Sequence, residues 1–554
     1  MRPINTTVRG FAIYMLSLYL SGWNLVSAVS AATIVVTTLG DEADHPFNAD
    51  GPCGAGTVSD LPGADGQVSL REAIIATNNT NGANTITFAP NLSGGTIFVN
   101  FDDLDGDTFP DPLPALCGGQ TTINGDLNDD GTPDITLEGG SPPALLAGIA
   151  VVSSHNTVQG LQVQHFVNGI AVIAGRAGTV PETLKDNTVT NNIVQQSQTG
   201  ILVLAGLTGP ATIKHTTVTN NIVQASPNGI SVLTGNAPGS ILTHTSIAEN
   251  LVRRTFIGIL VQANTTAAGA DTNITHTRVT DNEVGESTIG ILTFPQGTHN
   301  RITHTTIANN MVFANTLQGI QIFGGIGNTG ENGVEVSIQD NMVTDNQHPG
   351  IRVVGGADNS SNNYVVAKIQ DNSLERNLGG IVVRGGFGAA IVPGGGTSTH
   401  NVVDVSIERN TLKENELGSI SIFGGSADLD ENNNAIGIAN NNEVTASVTH
   451  NVVKGDLDTG IGLAAGGFGL ASANTLDVWV AQNTVCGDGR DIIAEGGFSD
   501  TNVIFSVPNQ GNGNVLVGEI FQNTATEVIV TDGTQNGVPA NTATVKQFQN
   551  NPCP

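Results

Sequence analysis

Residues 188–201 read TVTNNIVQQSQTGI and residues 217–230 read TVTNNIVQASPNGI, so the chain repeats itself after roughly 30 residues. An Asn followed two residues later by an apolar side chain marks each repeat. This marker recurs at Asn192, Asn221, Asn250, Asn282, Asn310, Asn341, Asn372, Asn410, Asn451 and Asn483. Two longer steps indicate loop insertions around 393–399 and 428–433. Such a period is typical of chains that stack similar coils.

Each repeat contains short apolar segments separated by turns. The residue three positions before the marker is apolar, and Gly-Ile follows most markers after eight to ten residues. Side chains alternate within a segment, as in Val334-Glu-Val336-Ser-Ile338, which is the period of a strand with one buried face. Coils stacked about 4.8 Å apart bury these faces in one core. The sequence predicts an all-β, right-handed parallel β-helix (solenoid) of about ten or eleven coils, with the repeats at 150–505.

The marker Asn also sets a register. Positions three before and two after it face inward, whereas positions six before, one before and four after face outward. An Asn at a bend tolerates left-handed backbone angles and can bond its amide to the equivalent Asn of the next coil, which would form a ladder. The alternative is a set of exposed turn asparagines without a ladder.

The N-terminus has the pattern of a secretory signal. Arg2 and Arg9 precede an apolar stretch from Phe11 to Leu20, and Val29-Ser30-Ala31 has small residues where a signal peptidase cleaves. We expect residues 1–31 to be a signal peptide and the protein to be secreted, either extracellular or at the cell surface. No later stretch reaches 18 apolar residues, so we expect no membrane insertion.

The composition is acidic and poor in aromatic residues. The chain has 49 Asp and Glu against 19 Lys and Arg, a formal net charge of −30 at pH 7. A negative field disfavours nucleic acid and favours cations or neutral ligands. With 70 Gly, this composition suits one elongated repeat body better than several compact domains.

Four cysteines lie near the two ends. Cys53 and Cys117 flank the N-terminal region, and Cys486 and Cys553 flank the C-terminal end, which suits two local disulfides in an oxidising compartment. The other two connectivities, and unpaired buried thiols, are the alternatives.

An open solenoid end exposes strand edges and therefore needs a cap. Ser69-Leu-Arg-Glu72 is a capping-box pattern at the start of a short amphipathic helix. We expect residues 32–149 to hold this cap and the first coils, and residues 506–554 to hold the last coils and a second cap.

The segment Val68-Ser-Leu-Arg-Glu-Ala-Ile74, with Asn84-Thr-Ile-Thr-Phe88 and Leu92-Ser-Gly-Gly-Thr-Ile97 after it, resembles a family of secreted β-helix proteins named after a CSLREA signature. The resemblance covers residues 32–150 by motif and the rest by architecture, and it implies the fold and export. Val68 replaces the leading Cys of the signature, which implies that Cys53 pairs elsewhere, with Cys117 as a candidate. It implies no single activity, because this fold hosts adhesins, lyases and hydrolases.

An acidic loop has the spacing of a calcium loop. Its oxygen ligands would be Asp126, Asn128, Asp130 and Asp134, with Gly131 at the sharp turn. The usual Glu at the last position is missing, since residue 137 is Leu. We expect structural Ca²⁺ in the cap, the alternative being a plain turn. A less regular candidate consists of Asp103, Asp105, Asp107 and Asp111.

A row of histidines occupies the outward position six before the marker, at His215, His244, His276 and His304, continued by Glu335 and Asp404. Neighbouring coils bring at most two imidazoles to one ion, whereas zinc needs three or four ligands. The row therefore predicts stacked surface side chains in preference to a metal site.

The best enzymatic candidate is a charged patch on the coils between 340 and 414. Its outward residues are Asp340, Asp371 and Arg409 before the marker, and Asp345, Arg376 and Glu414 after it. Carboxylates stacked about 5 Å apart match retaining glycosidases, and mixed Asp and Arg could bind a uronate for β-elimination with calcium as electrophile. The candidate catalytic residues are Asp340, Asp371, Arg376, Arg409 and Glu414. The alternative is a solvated ladder of surface charges.

The motif sets of polygalacturonase-like and pectate-lyase-like β-helices are absent from the sequence. We therefore expect an adhesive protein that binds a polysaccharide or cell-surface glycan without a recognisable catalytic set. The alternative is a polysaccharide lyase or glycoside hydrolase that acts on an acidic polysaccharide.

Overall fold

The structure is a computed structural model, and it describes residues 31–47, 53–99, 112–140, 147–176, 181–266, 271–388, 396–427, 437–455, 458–467, 470–486, 490–497, 513–525, 527–531, 534–535, 538–539, 541–548 and 551. Apart from Ala31, the predicted signal peptide lies outside these residues. The second calcium candidate at Asp103, Asp105, Asp107 and Asp111 and most of the two insertion loops also lie outside them.

Three parallel β-sheets form the faces of a solenoid, and each coil of the repeat region adds to all three. In the described residues sheet 1 has 20 strands, sheet 2 has 14 and sheet 3 has 13. Two of the 14 strands of sheet 2 precede residue 150 and one follows residue 505, which leaves eleven for the repeat region. The predicted right-handed parallel β-helix is confirmed, and the coils at either end continue the same stack.

The strands of sheet 1 are Thr33–Val36, Asn84–Phe88, Thr121–Asn124, Thr157–Gln159, Glu182–Lys185, Thr188–Thr190, Ala211–Lys214, Thr217–Thr219, Ile241–Thr243, Ser246–Ala248, Asn273–Thr275, Arg278–Thr280, Arg301–Ala308, Gly333–Gln339, Tyr364–Gln370, Val402–Glu408, Glu443–Thr449, Thr475–Ala481, Val515–Phe521 and Thr542–Phe548. The strands of sheet 2 are Thr96–Phe98, Ile135–Glu138, Leu161–Gln164, Ile193–Gln195, Ile222–Gln224, Leu251–Arg253, Glu283–Gly285, Met311–Phe313, Met342–Thr344, Ser373–Glu375, Thr411–Lys413, Val452–Lys454, Thr484–Cys486 and Thr524–Ala525.

The strands of sheet 3 are Ala147–Val151, Asn168–Ala174, Thr199–Ala205, Asn228–Thr234, Ile257–Ala263, Ile289–Pro295, Ile320–Phe323, Pro349–Val354, Gly379–Arg384, Ile420–Phe423, Thr459–Gly466, Arg490–Gly497 and Val528–Thr531. A smaller sheet contains Thr329–Gly330, Ser360–Ser361, Thr397–Thr399, Ile438–Asn440 and Leu470–Ser472. Two strand pairs complete the set, Phe387–Gly388 with Ser426–Ala427 and Thr534–Gln535 with Val538–Pro539.

The register deduced from the marker Asn is the register of the structure. Val189 and Val194, three before and two after Asn192, are fully buried, and Val189 pairs with Val218 of the next coil. The marker asparagines are themselves buried and form the predicted ladder. Asn192 donates from its backbone N and from Nδ2 to Oδ1 of Asn221, at 3.1 and 3.0 Å, and this pattern continues coil by coil to Asn523.

Two further Asn ladders line other corners of the solenoid. One runs from Asn315 through Asn346 and Asn377 to Asn415, and the other runs from Asn300 to Asn541. Each buried amide is satisfied by the coil above and the coil below, as a buried polar group requires. The ladders therefore fix the stacking register at three corners.

Sheet 1 changes shape along the solenoid. In the coils between 182 and 280 a corner residue with positive φ divides each sheet 1 segment into two short strands, as at His215 and His244. From Gly333–Gln339 onward each coil contributes one uninterrupted strand of seven residues. The outward face of the later coils is therefore a continuous surface of alternating side chains.

The N-terminal cap contains the helix Leu70–Asn78, which packs against Thr33–Val36 and Asn84–Phe88. Ser69 Oγ accepts from the Glu72 backbone N at 3.1 Å, and Glu72 Oε2 accepts from the Ser69 backbone N at 3.0 Å, which confirms the capping box. Arg71 donates two hydrogen bonds to Asp41, at 3.0 and 2.8 Å, and both side chains are almost fully buried. Short 3₁₀ helices span Val58–Asp60 and Pro90–Leu92.

Cys53 and Cys117 form a disulfide, the pairing that the family resemblance implied. Cys486 is also disulfide-bonded, and its expected partner Cys553 lies outside the described residues. Within the described ranges no helix is long and apolar enough to span a membrane.

Candidate functional site

The predicted calcium loop uses its carboxylates to hold its own backbone. Asp126 accepts hydrogen bonds from the backbone N of Asn128, Asp130 and Gly131, and Asp130 accepts from Thr132. Asp134 accepts from the Leu127 backbone N at 2.8 Å and from Ser93 Oγ at 2.6 Å. No group of three or more His, Cys, Asp or Glu in the described part of the chain could hold a metal ion. The expectation of structural Ca²⁺ is therefore wrong. These side chains form a chain of Asx turns, whose residue spacing is the same as that of a calcium loop.

The predicted catalytic patch lies at two corners beside sheet 2. Asp340, Asp371 and Arg409 occupy one corner and Asp345, Arg376 and Glu414 the other, all with positive φ. The structure joins these charges in pairs. Arg376 donates to both oxygens of Asp345 at 2.8 and 3.1 Å, and Arg409 donates to both oxygens of Asp371 at 2.8 and 2.9 Å. Each Arg also contacts the Glu that precedes it in the chain, Glu375 or Glu408, and Lys413 contacts Glu414.

The electrostatics of this patch favour ionised groups. The hydrogen bond from Arg376 lowers the pKa of Asp345, and the hydrogen bond from Arg409 lowers the pKa of Asp371. A general acid needs a carboxyl whose pKa is raised, so these two side chains are poor proton donors at neutral pH. The catalytic role of the five candidate residues stays a prediction.

The four histidines form an exposed row at the corner of sheet 1, in which His244, His276 and His304 are stacked and the His215 ring meets His244 edge-on. The ring centroids of His244 and His276, and of His276 and His304, lie 4.7 Å apart with planes parallel to within 1° and 3°. Acidic side chains flank the row, since His215 Nδ1 is 3.3 Å from Asp186 and His304 Nδ1 is 3.9 Å from Glu335. Burial, and then the neighbouring His276, lower the pKa of His244.

An open groove of about 420 Å³ lies over sheet 1 in the last coils, a volume within the range of ligand sites. Its floor consists of two adjacent rows of outward side chains in register across five strands. One row is Asp404, Thr445, Asp477, Val517 and Thr544, and the other contains Ser447, Trp479, Glu519 and Lys546. The continuous seven-residue strands of these coils make the groove possible, because no corner interrupts the face.

Trp479 is the dominant side chain of the groove. It is 45% exposed although it is large and aromatic. The Phe521 ring on the next strand supports it edge-on, with a centroid distance of 4.5 Å and an interplanar angle of 79°. Ala481 lies beside both rings on the same face and is buried. The indole is therefore held in place with one large surface open to solvent.

The charges of the groove are unbalanced. Glu519 is paired with Lys546, whose Nζ lies 3.4 Å from its Oε1. Asp404 and Asp477 are exposed and have neither an ion-pair nor a hydrogen-bond partner among the described residues. They lie two strands apart with Thr445 between them, a separation of about 10 Å along the solenoid axis.

The outward orientation of the groove residues could have been predicted from the sequence. Asp477 and Trp479 lie six and four residues before the marker Asn483, which is the outward parity, and Glu519 lies four before Asn523. The lateral meeting of Trp479 with Glu519 and Phe521 joins residues about 40 positions apart across a loop, and residue spacing within one repeat could not reveal it.

Comparison with known proteins gives one family and several structures. The model of the family described as "Periplasmic copper-binding protein (NosD)" matches residues 145–321, about a third of the chain. The chain matches no curated protein sequence. A similar solved structure is the A-module of mannuronan C-5 epimerase AlgE4 from Azotobacter vinelandii, with 13% identity, a TM-score of 0.39, and coverage of 66% of this chain and 87% of that one.

Two lyases are also among the similar structures. Pectate lyase Pel9A has 13% identity and a TM-score of 0.26, with coverage of 71% of this chain and 77% of that one. A mutant of the PL6 family alginate lyase AlyGC has 9% identity and a TM-score of 0.22, with coverage of 86% of this chain and 98% of that one.

The matched family is described as copper-binding, but the described residues of this chain do not fit a copper site. The His row is the nearest candidate. The rings of His244 and His276 are parallel, so the lone pairs in their planes run side by side and do not converge on one ion, and His244 Nδ1 is bonded to Thr243 at 2.8 Å. The family description names copper and not calcium, which also counts against the calcium expectation. The chain is thus a right-handed parallel β-helix whose coils between 145 and 321 are similar to the periplasmic NosD family.

Proposed function

We propose that this protein is exported and binds a polysaccharide along the groove of sheet 1, with Trp479 as the central contact. The observation that carries the proposal is the exposed indole, supported by Phe521 and surrounded by hydroxyl and carboxylate side chains in an open groove. A side chain of this size is normally mostly buried, so its exposure in a groove favours a binding role.

The chemistry of a sugar ring complements these groups. One face of a pyranose presents C–H bonds that stack on an indole, and its rim presents hydroxyls that donate to carboxylates and exchange hydrogen bonds with Ser and Thr. Asp477 lies beside Trp479 on the same strand, and Thr445 and Ser447 lie on the strand before. A sugar on the indole therefore has hydrogen-bond partners for its hydroxyls on the same strand and on the preceding coil.

The repeat of the solenoid suits a polymer better than a single sugar. Strands of sheet 1 follow one another at about 4.8 Å, close to the length of one hexose unit in an extended chain. A polysaccharide that lies along the axis can place one sugar over each coil from Val402–Glu408 to Thr542–Phe548.

Export is the second part of the proposal. It is supported by the signal pattern of residues 1–31, by the Cys53–Cys117 disulfide, and by the description of the matched family as periplasmic. The test is to express the full chain in a Gram-negative host and to measure the N-terminal mass of the product, which we expect to begin near Ala32. A product that keeps residues 1–31 would contradict export.

The binding proposal has a direct optical test. The chain has two tryptophans, Trp23 and Trp479, so the full chain with Trp23→Phe reports on the groove alone. We expect oligosaccharides to change its fluorescence, and Trp479→Ala to weaken binding measured by calorimetry by at least about tenfold. Phe256→Ala removes an exposed aromatic ring outside the groove and should leave the affinity unchanged. Equal losses in the two variants, or no fluorescence change with any glycan, would contradict the proposal.

A further inference from the structure

The carboxylates of the groove differ in their ion-pair partners from the carboxylates at the corners of sheet 2. At the corners of sheet 2, Asp345 and Asp371 are each covered by an Arg of the next coil. In the groove three carboxylates, Asp404, Asp477 and Glu519, face a single ammonium group, Lys546, which pairs with Glu519. Asp404 and Asp477 have no ion-pair partner among the described residues and lie on the same face as the exposed Trp479.

The position of these charges restricts the ligand. Asp404 and Asp477 belong to the same row, two strands apart, on the side of the groove next to the row that holds Trp479. Carboxylates repel a polyanion, and the net charge of −30 strengthens this effect. An acidic polysaccharide is therefore the least suitable occupant of the groove, and a chain with positive groups is the most suitable.

The spacing of the carboxylates matches a polymer with one amino group per sugar. In an extended β-1,4-linked chain successive sugars face opposite ways, so the substituents of every second unit lie on the same side. Two strand spacings, about 10 Å, separate Asp404 from Asp477, which is the distance over which such a chain repeats its orientation. The amino groups of alternate sugars would then meet Asp404 and Asp477, and the indole of Trp479 would attract the same cations through its face.

We infer that the groove selects a cationic amino-sugar polymer, a hexosamine chain with free amino groups, with Asp404 and Asp477 as the residues that determine this preference. The inference rests on the proposed function, since it names the class of glycan that occupies the same groove. It reverses the charge of the substrate in the alternative prediction from the sequence, which was a lyase or hydrolase that acts on an acidic polysaccharide.

The test compares β-1,4-linked hexamers of glucosamine, N-acetylglucosamine and glucose with a hexamer of a uronic acid. Binding to the full chain is measured by calorimetry at pH 6, where the amino groups of glucosamine carry positive charge. We expect the glucosamine hexamer to bind about fivefold or more tightly than the glucose hexamer at low salt, and the ratio to shrink at high salt. The uronate hexamer should bind most weakly.

Two variants separate the possible outcomes. Asp404→Asn with Asp477→Asn should bring the ratio of glucosamine to glucose affinity close to one. Asp281→Asn removes an exposed carboxylate of a distant coil and should leave the ratio unchanged. Equal affinities for the glucose and glucosamine hexamers, both weakened by Trp479→Ala, would overturn the amino-sugar inference and keep the proposed function. Affinities that do not respond to Trp479→Ala would overturn the proposed function itself.

Discussion

Arg409 lies one coil beyond Asp371 and donates two hydrogen bonds to its carboxylate, at 2.8 and 2.9 Å. Arg376 makes the same bidentate contact with Asp345. The two pairs occupy different corners beside sheet 2, and both link one coil to the next. This geometry is that of exposed ion pairs on neighbouring coils, and the hydrogen bonds from Arg lower the pKa of each Asp, which makes both poor proton donors.

We therefore expect the protein to release neither unsaturated nor reducing ends from acidic and neutral polysaccharides. The measurement is ultraviolet absorbance for unsaturated ends and a reducing-sugar assay, on a panel that includes polyuronates and neutral glucans. Release that disappears in both Asp371→Asn and Arg409→Ala would instead make the charged patch catalytic. Release that survives both changes would place catalysis elsewhere on the chain.

The cap should lose stability as the pH rises towards neutrality. Burial, and next the hydrogen bond with Asp44, raise the pKa of Glu72 to about 7 from the usual 4.5. As the pH rises, the unfolded chain therefore releases this proton first. Between about pH 4.5 and 7 the folded cap binds more protons than the unfolded chain, so the stability of the cap falls across that window. The loss is at most about 3 kcal/mol, since one pKa unit corresponds to about 1.4 kcal/mol.

The geometry of the Glu72 and Asp44 pair supplies the reason. Asp44 Oδ1 is buried without an N–H or O–H donor, and both carboxyl groups lie against Gly63, so a proton on Glu72 satisfies Asp44. The same hydrogen bond lowers the pKa of Asp44. The effect of Asp44 on the stability of the cap therefore lies below about pH 4, outside this window. Hydrogen exchange of the helix amides Leu70–Asn78 at pH 5 and pH 7.5 measures the effect. Glu72→Gln should remove the pH dependence and Glu249→Gln should not, and an unchanged pH dependence in Glu72→Gln would contradict this origin.

The His row should make the early coils sensitive to acid. The pKa of His244 lies below its usual value because of burial and of the neighbouring His276, His215 and Lys214. As the pH falls through 6.5 the unfolded chain gains this proton first, so stability declines below pH 6.5 until His244 itself is protonated. His244→Asn keeps a residue that tolerates the positive φ of this corner and does not titrate. Thermal unfolding at pH 7 and pH 5 in low salt should therefore show a smaller shift for this variant, and an equal shift would contradict the prediction.

The Asn ladder should be the most sensitive feature of the core. Asn341 donates to the carbonyl of Ile307 and to Asn372, and its Oδ1 accepts from Asn310, with all of these distances at 2.9 to 3.0 Å. Asn341→Ala leaves these buried partners unsatisfied, at about 1–3 kcal/mol for each lost partner, so we expect a destabilisation of at least about 3 kcal/mol in urea unfolding. Asn309→Gly changes an exposed residue with positive φ that directly precedes the ladder residue Asn310, and it should have little effect on stability. Equal losses in the two variants would mean that the ladder contributes no more than the turn.

The fold could be predicted because one buried residue type recurs at one position. The ladder Asn, the buried Val189 and Val194, and the exposed His row all follow from a single register. The same register could have revealed the other two ladders, since Asn346 and Asn377 lie five residues after their markers and Asn332 and Asn363 lie nine before theirs.

The site was harder to predict for two physical reasons. Asp126 and its neighbours have the spacing of a cation loop, but the oxygens bond to their own backbone, and sequence spacing does not distinguish these cases. The groove depends on contacts between coils, where Phe521 supports Trp479 and no Arg among the described residues covers Asp477. Such contacts depend on which coil follows which, and that order lies outside any single repeat.

Where successive marker asparagines are equally spaced, the length of the solenoid can change by one whole coil. Asn310, Asn341 and Asn372 are separated by 31 residues at each step, and each bonds to the next Asn of the ladder in the same way. Excision of residues 341–371 would place Asn372 directly after Asp340 and restore the Asn310 contact with an identical side chain. A gene that gains or loses such a unit moves the groove towards or away from the N-terminal cap in steps of one coil, so the reach of the protein can evolve without any change in what it binds.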